Sequence, residues 1–294
     1  MPNWLVVVNH KAGRSAADPR RVADALEDAG VEFDLVAPQT RDETTALLVE
    51  QAKSGRTHFG LVGGDGTVNL AANALVPMAL DPKPIIGVLP AGTGCDLLRT
   101  FGLPQDIVGA AHHLATESTY DIDVATLEGA WGTRYFVNVA QAGVGAAAAV
   151  TAPLMSRRLG AIRYPIAFGV RLPRFPKAAV RIVTERRTYE SSALAVIVAN
   201  AQFFAGGWNV APKATLVDGV VDLQVINTTK RRAPALVPKV IRGTHLADRA
   251  VRRFSAAEFS IETDPSWPVE ADGDYVGNTP VRGRVVPAAL RLKI

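Results

Sequence analysis

Leu61-Val62-Gly63-Gly64-Asp65-Gly66-Thr67-Val68-Asn69 sets three glycines and an acid between an apolar run and a helical pattern. Backbone can come close to a polyphosphate at such a turn, because only glycine allows that approach and the positive φ it often needs. The helix that follows offers unpaired N–H groups and a partial positive charge to the anion. A tight turn without a ligand is the plain alternative. Neither common phosphate loop is present. The Gly-x-x-x-x-Gly-Lys-Ser/Thr pattern is absent, and Gly63, Gly64 and Gly66 miss the Gly-x-Gly-x-x-Gly spacing, which disfavours an ordinary dinucleotide-dependent oxidoreductase.

On either side of this turn the chain alternates short apolar strands with helical patterns, as a parallel sheet with crossover helices does. Strands are predicted at Leu5–Val8, Phe33–Val36, Phe59–Val62 and Ile85–Leu89, and helices at Arg20–Ala29, Asp42–Ser54, Val68–Leu75 and Cys95–Thr100. Two further polar turns follow strands of this sheet: Asn9-His10-Lys11-Ala12-Gly13, and Pro90-Ala91-Gly92-Thr93-Gly94-Cys95-Asp96. The C-terminal ends of parallel strands gather on one edge, where ligands bind. Three converging turns therefore predict an anion site there.

Beyond Thr119 the texture becomes β-rich: Tyr120–Leu127, Arg134–Ala140, Ala179–Thr184, Ala193–Ala199, Val220–Ile226 and Phe259–Thr263, as expected of packed antiparallel sheets. Helical character interrupts at Ala146–Leu172 and Pro234–His245. The predicted organisation is an α/β domain over 1–125 followed by a β-sandwich domain over 126–294. No repeat or low-complexity tract occurs.

Composition narrows the class. At 48% hydrophobic and 20% charged residues, the chain has the apolar material for packed cores. The start reads as a buried strand, with no basic leader before it, and no stretch reaches the roughly 18 uncharged apolar residues of a membrane span. Cys95 is the only cysteine, which excludes an internal disulfide and a multi-cysteine zinc site, and suits a reducing, cytoplasmic setting. Charge is divided: Met1–Glu128 carries 9 Lys/Arg against 17 Asp/Glu, whereas the remainder carries 23 against 11. No acid occurs between Glu128 and Glu185, a stretch holding eight basic residues. A basic half of this kind suits an anionic lipid surface, a nucleic acid or simple solvation.

With these motifs in hand, the chain resembles the bacterial diacylglycerol-kinase-like lipid kinases, relatives of sphingosine and ceramide kinases and, more distantly, of NAD kinases. The resemblance runs nearly the whole length and rests on Gly63–Asn69, on Pro90-x-Gly92-Thr93-x-x-Asp96 leading to Arg99, and on Asp272-Gly273-Asp274. It implies a Rossmann-like first domain, a β-sandwich second domain and a cleft between them. By position, it implies that Asn9, His10, Lys11, Ala12, Gly13, Thr40, Gly63, Gly64, Asp65, Gly66, Thr67, Asn69, Gly92 and Thr93 surround ATP. It implies Asp272 as general base toward a lipid hydroxyl, and Asp65 as part of the magnesium and phosphate network. Thr215, Asp218 and Val220 match a structural Mg2+ site, through the Asp218 carboxylate and the other two carbonyls. The activity implied is ATP-dependent phosphorylation of a membrane lipid, diacylglycerol giving phosphatidic acid, by a peripheral protein at an anionic membrane surface, with no nucleic-acid partner. A homodimer is left open.

Departures from the family pattern fall at His10 in place of proline, Cys95 in place of asparagine, and Asp274 in place of glutamate. The sequence stops at Ile294, short of a helix that in some relatives returns to the first domain. A NAD kinase would share the glycine turn but need an Asn-Glu pair, and no Asn-Glu dipeptide occurs. A nucleotide-responsive lipid-binding protein without catalysis is the other alternative. Plainer readings stand beside the sharp ones: Asp218-Gly219 and Asp272-Gly273 are also ordinary hairpin turns, and Cys95 a small packing residue. His112-His113 faces solvent, and Met155–Leu172 is either a core-packed helix or a lipid lid.

Overall fold

The computed structural model describes residues 2–9, 18–91, 95–156, 159 and 162–294. It divides into two compact units, one running up to Val124 and including Pro287–Ile294, the other spanning Ala125–Val286.

The first unit alternates β1 (Trp4–Val8), α1 (Pro19–Asp28), β2 (Phe33–Val36), α2 (Arg41–Lys53), β3 (His58–Gly63), α3 (Asp65–Leu75) and β4 (Ile85–Pro90). Helices α4 (Asp96–Thr100) and α5 (Ile107–Leu114) then lead into β5 (Thr119–Gly129). The sheet order is β2-β1-β3-β4, all parallel. Every residue of β1 is buried, as expected of a parallel strand covered on both faces. The helices start where local chemistry allows. Asp18 accepts the Arg20 N–H ahead of Pro19, and Thr40 Oγ1 accepts the Glu43 N–H at 3.1 Å. Helix α5 is an addition to the elements expected from the sequence. Asp106 caps it, Ala110, Ala111 and Leu114 face inward, and His112 is exposed.

The second unit packs two antiparallel sheets. One has the order β14-β13-β10-β7-β16-β17, formed by β14 (Val251–Ala256), β13 (Val221–Ile226), β10 (Ala195–Ala199), β7 (Val139–Gly143), β16 (Pro268–Ala271) and β17 (Asp274–Asn278). The other joins β15 (Glu258–Asp264), β8 (Ala178–Thr184) and β9 (Thr188–Ala193) to the start of β18 (Val281–Lys293), with β6 (Gly132–Phe136) on β5. In β8, Ala178, Val180 and Ile182 point inward while Ala179 and Arg181 point out. Their partners in the core include Val196, Leu223 and the fully buried Trp267. The six-stranded sheet is covered on its other face too, by α6 (Val144–Thr151), α7 (Arg163–Arg171), α8 (Ala233–Ile241) and the small ribbon of β11 (Phe203–Phe204) and β12 (Trp208–Asn209). That second cover explains why β10 is buried at every position.

Three sequence expectations need correction. Arg134–Ala140 is not one strand: the chain leaves β6, bonded to β5, and re-enters as β7, bonded to β10, with Val137 and Asn138 at the crossing. The helical stretch 146–172 is broken, with Pro153 in a short 3-10 turn after α6. The division at 126–294 does not hold at its far end, because Pro287–Ile294 belongs to the first unit. There Arg291 and Leu292 pair parallel with Ile85 and Ile86. The Arg291 guanidinium grips both oxygens of Asp121, at 2.7 and 3.1 Å, and holds that carboxyl below its ordinary range.

Trp267 should be the most sensitive position in the second core. Its backbone N–H bonds Thr279 Oγ1, its indole N–H reaches the Pro176 carbonyl at 3.2 Å, and its ring packs on Phe175. Trp267→Ala should lower unfolding free energy by about 3–5 kcal/mol in denaturant titration; a change below about 1 kcal/mol would show the core closing around the loss.

Candidate active site

In the sheet order β2-β1-β3-β4 the order of strand addition reverses between β1 and β3, the position where open α/β sheets bind ligands. The structure brings expected residues together there. Asn9, just after β1, donates its N–H to the Val62 carbonyl and its Nδ2 to Thr67 Oγ1 at 3.0 Å. Gly63 has no alternative, since a Cβ there would sit 2.2 Å from Thr67 Oγ1. Gly64 caps α3, and Gly66 is exposed, where an added Cβ would meet nothing within 4 Å. The first turn of α3 thus presents backbone outward while Thr67 and Asn69 turn their side chains inward, at 5% and 2% exposure.

Asp65 ties this turn to the next. Its Oδ2 accepts the Asp96 N–H at 3.0 Å and its Oδ1 the Leu97 N–H at 3.1 Å. These are donors at the start of α4 that the helix itself cannot satisfy, and its cap residue Cys95 makes no side-chain cap bond. Cys95 instead points its thiol at Asp65 Oδ1, 3.3 Å away, and burial, followed by the Asp65 charge, pushes that thiol well up. Cys95 is accordingly an inert packing residue with a weak donor. Thr40 lies at the cap of α2, where its hydroxyl is engaged with Glu43. His10, Lys11, Ala12, Gly13, Gly92 and Thr93 lie outside the described residues.

In the second unit, Asp272 and Gly273 form the two-residue turn between β16 and β17, with φ of +47° and +88°. Two positive φ values make a type I′ hairpin, which favours Asp-Gly. The Asp272 carboxylate reaches across to the crossing after β6. Oδ2 accepts the Val137 N–H at 2.8 Å, and Oδ1 accepts those of Asn138 and Val139 at 2.9 and 3.0 Å. Asp274 pairs with Arg134 at 3.0 Å. The Asp272 side is partly open to solvent.

Two residues that the sequence reading does not single out join this turn. Glu270 is fully buried, and its Oε2 accepts the Gly273 N–H at 2.7 Å. Burial pushes its carboxyl up to about 8, against the pull of Gln141 and the Gly273 amide and with the help of Asp272 and Asp274. Gln141 stands opposite Glu270 across β7 and β16. A lone glutamate in the run Val269-Glu270-Ala271 is the only signal for it in the sequence.

The expected metal loop is exposed at Thr215 and Asp218, and Asp218 Oδ1 accepts the Val220 N–H at 3.3 Å. Among the described residues no group of three His, Cys, Asp or Glu side chains gathers as a metal centre. One carboxylate with carbonyl oxygens nevertheless fits magnesium, which keeps most of its waters and takes one or two carboxylates.

Comparison with known proteins agrees with this architecture. Residues 3–127 match the diacylglycerol kinase catalytic domain, and residues 138–294 match the YegS C-terminal NAD kinase beta sandwich-like domain. The chain is 27% identical over 287 residues to a diacylglycerol kinase of Bacillus subtilis (strain 168), covering 95% of this chain and 92% of that protein. It is 26% identical to a "Probable lipid kinase YegS-like" of Klebsiella pneumoniae (strain 342), covering 100% and 96%. A crystal structure of a diacylglycerol kinase from Bacillus anthracis str. Sterne shares the fold, with a TM-score of 0.75 at 22% identity over 99% of this chain and 96% of that one. The chain belongs to the diacylglycerol-kinase-like family of lipid kinases. It is a kinase with an α/β first domain and a β-sandwich second domain.

Glu270 makes a prediction about pH. An acid whose folded value is raised to about 8 weakens the fold progressively as pH climbs from its unfolded value, ~4.3, through its folded one. Glu270→Gln removes that loss. The variant should gain stability over the wild type as pH rises from about 5 to about 8 and then level off, measured by thermal unfolding across that range. A stability difference that does not change with pH would contradict the buried neutral carboxyl.

Proposed function

We propose that the chain transfers the γ-phosphoryl group of ATP to the hydroxyl of a membrane lipid, with diacylglycerol as acceptor and phosphatidic acid as product. The observation that carries the nucleotide half is the three bonds that join Asn9 to Thr67 and Asp65 to the first two amides of α4, which tie the turns after β1, β3 and β4 around an exposed glycine. Backbone amides at the start of α3 would take the phosphates. Asp65 acts on that site through α4, as a positioning residue.

The acceptor half rests on Asp272. The lipid oxygen bonds to the γ-phosphorus, the bond from that phosphorus to the β-γ bridging oxygen breaks, ADP departs, and the hydroxyl proton passes to the Asp272 carboxylate. Three amide donors hold that carboxylate in one orientation, and such transfers depend mainly on positioning and charge stabilisation. Magnesium, when bound, neutralises phosphate charge; Thr215, Asp218 and Val220 are the residues that would hold a structural ion. Membrane engagement is supported by α7 and the turn before it. Leu154, Ile162 and Val170 are exposed at 82%, 57% and 54%, and Arg163, Arg171 and Arg174 accompany them in an acid-free stretch. Arg157 and Arg158 lie outside the described residues.

Transfer of labelled phosphate from ATP into a total lipid extract, with NAD as the competing acceptor, tests the reading. Label should enter lipid and not NAD. Asp272→Asn should keep ATP affinity while turnover falls about 10²–10⁴-fold, the usual worth of a general base. Because asparagine turns an NH2 toward one of the three amide donors, folded fraction is measured beside turnover. A well-folded Asp272→Asn enzyme with near wild-type turnover would move the base elsewhere.

A further inference from the structure

Glu270 is a fully buried carboxylic acid with no ion-pair partner among the described residues. It stands opposite Gln141 on one side and Tyr275 on the other, in the middle of the run β7-β16-β17. Gln141 lies on the helix-covered face of this sheet, and directly opposed residues share a face, so Glu270 points toward that cover. The elements packed on it bring no counter-charge. Strand β7 and helix α6, over Val139–Thr151, contain no ionisable side chain. The titratable neighbours are Asp272, Asp274 and the half-exposed Tyr275, and Arg134 of β6 is drawn to Asp274 at 3.0 Å.

The contacts of the acid show what it holds. Its Oε2 accepts the Gly273 N–H at 2.7 Å, which leaves the acid proton to Oε1. That bond fixes the second residue of the two-residue turn whose first residue is Asp272. At the other end of the turn, the Asp272 N–H bonds the Val139 carbonyl at 2.9 Å. The Asp272 carboxylate meets the amides of Val137, Asn138 and Val139 together only while the turn keeps this shape. A negative Glu270 would be the third carboxylate in five residues. One amide bond does not offset the desolvation of such an anion. Moving into water relieves it, and that movement takes the Gly273 end of the turn along.

Resting on the lipid-kinase reading above, we propose that Glu270 is a positioning residue for phosphoryl transfer. In its protonated form it holds the Gly273 end of the turn and, through it, the Asp272 carboxylate; losing the proton releases both. Burial pushes the Glu270 carboxyl up to about 8, so the release falls on the alkaline side of neutrality. Turnover there is lost through the support of the base and not through the base itself.

Hydrogen exchange at the Val137, Asn138, Val139 and Gly273 amides reads this coupling without ATP or lipid. Corrected for the intrinsic pH dependence of exchange, all four should open in the wild type between about pH 6 and about pH 10. In Glu270→Gln they should stay protected, because the glutamine oxygen and NH2 reproduce the acceptor and donor of the neutral acid. Turnover is followed over the same range with ATP and diacylglycerol in detergent micelles. Wild-type kcat should fall about tenfold per pH unit above about 8, with the KM for ATP constant, and the Glu270→Gln profile should lack that fall. Glu270→Leu keeps the size and removes the acceptor, and should lower kcat on the order of tenfold at every pH. Equal alkaline limbs in wild type and Glu270→Gln would overturn the inference. So would wild-type amides at 137–139 whose protection ignores pH, or a folded Glu270→Leu with the kcat of Glu270→Gln. Exchange that follows the expected pattern supports it even where no phosphoryl transfer is found, and that absence would count against the kinase reading alone.

Discussion

The bonds from the Asp65 carboxylate to the Asp96 and Leu97 amides are what the first unit's site depends on. Parallel strands guarantee only that β3 and β4 end on the same edge; they do not fix the loops that follow. Helix α4 has five residues and a cap residue without a capping bond, so its buried first-turn donors require an acceptor from elsewhere. Asp65 supplies one from the first position of α3, and the two turns become a single structure. The same bonds draw the Asp65 side chain away from the exposed face at Gly66, which leaves backbone as the surface offered to an anion.

The second unit repeats this device with a different turn. Asp272 takes three backbone amides from the crossing between β6 and β7, the point where the chain passes from one sheet of the sandwich to the other. Asn200 reinforces the crossing by donating to the Val137 carbonyl at 2.9 Å. The carboxylate proposed above as the general base is thereby fixed by the packing of the sandwich itself. Behind it, the buried Glu270 accepts the Gly273 N–H at 2.7 Å, its carboxyl pushed up to about 8 by burial, and Gln141 stands opposite it.

Much of this is legible in the residues. The Gly-Gly-Asp-Gly-Thr turn, the strand pattern around it and the β-rich second half follow from glycine freedom and from hydrophobic period, both local properties. What the sequence hides depends on contacts distant in the chain. Nothing local in Arg134–Ala140 announces that its amides at 137–139 will bond Asp272, 133 to 135 positions later. The tail at Pro287–Ile294 looks like any strand, and bonds to distant residues such as the Arg291–Asp121 pair, together with the place beside β4, assign it to the first unit. The role in holding phosphate and metal that the resemblance implies for Asp65 comes from position alone, whereas its geometry is that of a helix cap.

Amide hydrogen exchange with and without ATP tests the central claim most directly, because the proposed contact is with backbone rather than side chains. Saturating ATP should slow exchange at Gly64–Thr67, and at Asp96 and Leu97 through Asp65, while β8 and β9 in the second unit stay unchanged. ATP binding that leaves the Gly64–Thr67 amides exchanging at their original rate would contradict the assignment of the nucleotide to this turn.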